Sequence, residues 1–207
     1  MINRFPNERV NNFSDAIFAI AITLLVLEVK VPTAQDLAQF GTAGVLGRLA
    51  TSFISLFISF VVTALYWRSH LSMAQFVRAY DNRLLWLNLW LLLFVVLLPF
   101  STGFYAKNFN QDGPFIFYCF NLVAIGVFNY GMVRHIIRTH GVDDHLTPTI
   151  SKWFILRAWV APVVWLFSAA ITPLAPTLAR FAFIGIFVIY AIGEHRLKKR
   201  EAQPTKK

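Results

Sequence analysis

Six runs of apolar residues, each about as long as a helix needs to cross a bilayer, divide this chain of 207 residues. A hydrocarbon core of about 30 Å takes roughly 20 residues at about 1.5 Å each. The runs read as 13–31, 49–67, 84–105, 115–137, 153–171 and 177–192. With 57% hydrophobic residues there is more apolar surface than a soluble domain of this length can cover. The expectation is an all-α, polytopic membrane protein with six transmembrane helices. Residues 1–195 form one transmembrane domain, and 196–207 form a basic cytoplasmic tail, disordered toward its end. The first run is too long for the apolar core of a signal peptide and lacks a small-residue cleavage site, so it is expected to be retained.

The net charge of +9 raises the question of a nucleic-acid partner, and the distribution of charge answers it. Six spans put both termini on one side. All Lys and Arg residues except Lys30, Arg48, Lys107 and Arg180 then fall on that side. Basic loops mark the cytoplasmic face, so both termini are expected there and no nucleic acid is needed. Cys119 stands alone in an apolar run, which excludes an intrachain disulfide. His140, Asp143, Asp144 and His145 carry metal-binding chemistry, but HGVDDH has no recognised metal spacing, and no structural metal or cofactor is expected. No HExxH, GxSxG or phosphate-binding loop is present, so the chain does not read as an enzyme. The apolar runs hold almost no ionisable group, which leaves a coupled transporter little with which to bind its ion. A TVGYG-like filter and an arginine-rich sensor helix are also missing.

The segment from Arg9 to Pro32, RVNNFSDAIFAIAITLLVLEVKVP, carries the most specific information. Ser14 or Asp15 can cap a helix there, and Pro32 can end it. At 100° per residue Ile20, Leu24 and Leu27 fall within about 60° of one another, with Asp15 on roughly the opposite side. A near-membrane aspartate must find a protein partner, so Asp15 should turn into its own subunit and leave the Ile/Leu face to line something or to pack. Further along, 33–47 read as a loop or short surface helix. Ser52, Ser55 and Ser59 recur at a spacing that permits close helix approach. Pro99 predicts a kink near Leu98, Pro162 lies inside the fifth span, and 79–83 form a tight polar turn.

Arg9, three residues, Phe13-Ser14-Asp15 and then AIFAIAITLLVLE resemble the first-helix signature of the transmembrane protein 175 family, in its short prokaryotic form. Trp67 and His70, spaced WxxH, and the layout of six spans in about two hundred residues support the resemblance. It implies a potassium-permeable cation channel without a filter loop, homotetrameric, with four first helices around a central pore. Carried over residue by residue, it implies a hydrophobic constriction at Ile20, Leu24 and Leu27, with Thr23 as a candidate for selectivity. It also implies a hydrogen-bonded cluster of Arg9, Phe13, Ser14, Asp15, Trp67 and His70 that presents the pore helix. The implied partners are further copies of the chain, the lipid of the cell membrane and monovalent cations, with potassium passing transiently. Two other readings stay open: a proton-coupled transporter or proton pathway using Asp15 and His70, and a non-conducting scaffold.

Overall fold

The computed structural model describes residues 5–140 and 147–201. Among them, six helical segments are long and apolar enough to cross a membrane. The first, α1 (Asn7–Leu24), tightens into a 3-10 turn at Leu25–Glu28. It starts six residues before the expected span, so Ser14 and Asp15 lie inside the helix and cap nothing. The cause is non-local. Phe5–Pro6 (β1) pairs antiparallel with Ala79–Tyr80 (β2), which fixes where the helix begins. The far end differs too, since the α-helix is over at Leu24, well before Pro32.

The second span, α2 (Ala34–Ala74), takes in 34–47, so of the two readings for that stretch the helical one holds, joined to the span rather than separate from it. Thr33 accepts from the Asp36 N–H while the Asp36 carboxylate accepts from the Thr33 N–H, a reciprocal cap that starts the helix. Gly41, at φ 64° and ψ 170°, breaks the direction in a way a side chain would resist. The third span is kinked where expected: α3 (Asn82–Val96) meets α4 (Leu98–Lys107) at Leu97, just before Pro99.

The fourth span, α5 (Asp112–His140), packs most extensively against α6 (Pro148–Ile171), then α3 and α4, and sits at the centre of the bundle. A Cβ at Gly126 would come 2.8 Å from Pro162, so α5 and α6 approach closely at the proline inside α6. The sixth span is not continuous. α7 (Pro176–Phe181) and α8 (Ile184–Glu201) are separated by a turn at 182–183, and the tail expected from 196 begins as a continuation of α8. Asp143, Asp144 and His145 of the metal-type loop, Arg4 and residues 202–207 lie outside the described residues.

Hydroxyl and amide groups tie the middle of the bundle together. The Ser59 hydroxyl meets the Tyr118 hydroxyl at 3.0 Å and accepts from Thr102 at 2.9 Å, linking α2, α4 and α5. Asn121 donates to Ser101 at 3.0 Å. Of the three serines singled out by spacing, Ser59 and Ser55 are buried, and Ser59 makes the interhelical bonds.

Candidate functional site

Where α1 begins, a chain of hydrogen bonds runs across three helices. The Ser14 hydroxyl donates to the Val10 carbonyl at 2.8 Å, so its oxygen is left to accept, and the Asn88 amide N–H fills that role at 2.9 Å. The Asn88 carbonyl oxygen therefore faces the other way, 2.9 Å from His70 Nε2. A carbonyl oxygen can only accept, so Nε2 carries the hydrogen and His70 is held in one tautomer. Ser14, His70 and Asn88 are 0%, 3% and 0% exposed, and leaving any of their polar groups unmatched here costs about 1–3 kcal/mol. The Phe18 ring packs on His70 with centroids 5.9 Å apart.

Beside this chain Asp15 accepts from Trp67 Nε1 at 2.8 Å. Asn7 donates to the Ala74 carbonyl at 3.3 Å, Asn11 donates to Asn7 at 2.7 Å, and the Tyr80 hydroxyl donates to Asn11 at 3.0 Å. Burial pushes the Tyr80 phenol well above its ordinary value, so it stays a donor. Asp81 caps α3 through the Leu84 N–H at 2.7 Å and reaches His135 Nε2 at 2.7 Å. Burial alone would raise the Asp81 carboxyl, but the Leu84 N–H and His135 outweigh it and hold it below the usual carboxylate value.

The expected cluster is thus assembled in part. Ser14 and His70 meet through Asn88, and Asp15 meets Trp67, but no hydrogen bond joins Asp15 to His70. Phe13 is 52% exposed, and Arg9 is exposed with no hydrogen-bond or ion-pair partner among the described residues, so both stand outside it. Asn88, Asn11 and Tyr80 are members that the motif did not name. Asn88 could have been found as the one amide in the run LLWLNLWLLLF.

The clasp fixes the rotation of α1. Its covered side carries Ser14, Phe18, Ala21 and Leu25, all buried. The opposite side is bare: Ile20 is 54%, Leu24 40% and Leu27 74% exposed. Thr23, also exposed, donates its hydroxyl to the Ile20 carbonyl at 2.8 Å, which leaves the oxygen lone pairs free to accept or coordinate. At the far end Glu28 accepts from Lys107 at 2.8 Å in a partly exposed ion pair. Its carboxylate lies so close over Gly103 that a Cβ there would collide with it.

Comparison with known proteins agrees with this architecture. Residues 9–99 match the family model described as the endosomal/lysosomal potassium channel TMEM175. A Chryseobacterium protein named a potassium channel is 26% identical over 92% of this chain and 95% of its own length. The Bos taurus endosomal/lysosomal proton channel TMEM175 is 35% identical over 45% of this chain and 21% of its own length. The crystal structure of a lysosomal potassium-selective channel TMEM175 homolog from Chamaesiphon minutus superposes with a TM-score of 0.77 at 25% identity, over 92% of this chain and 97% of that one.

Proposed function

Because the chain belongs to the transmembrane protein 175 family, we propose that it is a passive, potassium-permeable cation channel in which four copies surround a pore lined by α1. One observation carries the reading: Ile20, Leu24 and Leu27 form a bulky apolar face that the subunit leaves uncovered, at a rotation fixed by buried hydrogen bonds. A ring of such faces narrows a pore without offering oxygen ligands. An ion entering it loses hydration, and the neck conducts only when it widens or wets. Thr23, one step round the helix, supplies oxygens that favour a cation that has shed part of its shell.

Uncovered surface on a second side of α1 supports the assembly. Ile22, Thr23 and Val26 line an open groove with Phe53, Phe57 and Phe60 of α2. A neighbouring copy would fill it, and a closed cyclic ring suits an axial pore. The distribution of Lys and Arg supports a cell membrane with both termini cytoplasmic. The cycle needs no cofactor or resident metal, only permeant potassium.

Potassium flux through proteoliposomes, compared with sodium and proton gradients, tests the reading. Leu24→Ala or Ile20→Asn should raise the leak several-fold and lower the preference for potassium, and Thr23→Val should lower preference more than flux. Unchanged flux in both Leu24→Ala and Ile20→Asn would move the pore elsewhere. Proton conduction is the second reading, and its support is the name of the Bos taurus relative. Asp15 and His70 bond separately to Trp67 and Asn88, so a proton path using both needs a further link between them. Flux that follows only the proton gradient would favour this second reading.

A further inference from the structure

Arg9 is the charged residue of the motif that the clasp leaves out. α1 is unbroken from Asn7 to Leu24, so spacing converts into direction at about 100° per residue. Arg9 and Ile20 then point within about 20° of each other, with Phe13 on the same line and Leu24 within about 60° of Arg9. Arg9 lies about 16 Å from Ile20 along the axis, toward the start of the helix. All four side chains are exposed. An open groove beside Arg9, lined by Phe5, Val10, Phe13, Leu85 and Leu89, offers it no acid. On α1 itself Glu8 points about 100° away, and Asp15 is turned to Trp67.

We propose that Arg9 sets a ring of positive charge at the mouth of the pore where α1 begins, one guanidinium from each copy, which repels entering cations and limits flux. The inference rests on the pore reading above and adds a determinant of conductance to it. The height of the barrier is set by salt. Four unit charges about 10 Å from an ion in water lower its local concentration roughly five- to tenfold at ~0.01 M salt and about twofold at ~0.15 M, where the screening length shrinks from about 30 to about 8 Å.

The test holds potassium constant in proteoliposomes and raises ionic strength from about 0.01 to 0.15 M with an impermeant salt. Wild-type flux should rise about threefold to fivefold as the ring is screened. Arg9→Gln should start higher and lose that dependence, Arg9→Lys should restore it, and Arg83→Gln should leave it as in the wild type. A wild-type flux indifferent to ionic strength overturns the proposal, even if Arg9→Gln does not assemble. So does an Arg9→Gln channel that keeps the full salt dependence. Leu24→Ala, run in parallel, separates the two failures. If it raises flux while salt does nothing, only the Arg9 ring is lost. If it also does nothing, the pore face is lost with it.

Discussion

The first and fourth spans are both helices of apolar residues, and the first has the higher mean hydropathy, 1.8 against 1.6. Yet half of the apolar stretch of the fourth is buried inside the bundle, against 28% of the first. In a bilayer, hydrophobicity does not tell which helix is enclosed, because lipid receives Leu and Ile as readily as protein does. Polar side chains carry the information instead. On α5, Tyr118, Asn121 and Asn129 all point inward, among Cys119, Leu122 and Ile125. On α1 only the side bearing Ser14 is treated this way, and the Ile20 side has no polar tie to the other helices among the described residues.

The contrast can be broken by substitution. The largest effect is expected at Leu122→Ala, which empties a fully buried site of α5 and should cost about 2–5 kcal/mol. Thermal unfolding in detergent measures it, and a loss below ~1 kcal/mol would mean that α5 is not the packed centre. Asn88→Ala strands the His70 N–H and frees Ser14 from its donor, so about 1–3 kcal/mol should go, together with the fixed rotation of α1. Accessibility of a cysteine placed at Ala21 reads that rotation, and continued protection would show that the clasp does not set it.

The acid-side effect is smaller. Asp81 has a folded value below its unfolded one of about 3.9, so its contribution is complete above that pH and fades as pH falls further, through the folded value. A melting temperature that drops below about pH 4 in the wild type but less in Asp81→Asn is the expected pattern. Smallest of all, Ile20→Ala should change thermal stability by less than ~0.5 kcal/mol while changing flux. A core-sized loss there would make the bare face an ordinary packing surface.

Much of the fold was legible because a membrane makes backbone satisfaction local: the six apolar segments and the kink before Pro99 all followed from composition and proline chemistry. What was missed depends on partners far along the chain. The start of α1 at Asn7 follows directly on the pairing of Phe5–Pro6 with Ala79–Tyr80, and its local marks, Pro6 and the first-turn Glu8, lie ahead of the apolar run by which the span is read. For 33–47 the small residues left loop and short helix both open, and the reciprocal cap of Thr33 and Asp36 is what decides for the helix. At the site, the pairing of Asp15 with Trp67 joins two residues of the resemblance. Asn88 escaped because a single amide in a leucine-rich run looks like a lipid-tolerated exception until its two partners are seen.

The glycine beneath Glu28 has a mechanical consequence. α4 is a stiff arm of about 15 Å, jointed to α3 at Leu97 and fastened at its other end to the turn after α1 through Glu28 and Lys107. With no side chain at position 103 the fastening lies flush against the arm, leaving little slack between them. An outward swing of the far end of α1 must then either drag α4 about the Leu97 joint or break the ion pair and the packing of the turn on α4, with the joint as the hinge and the pair as part of the latch.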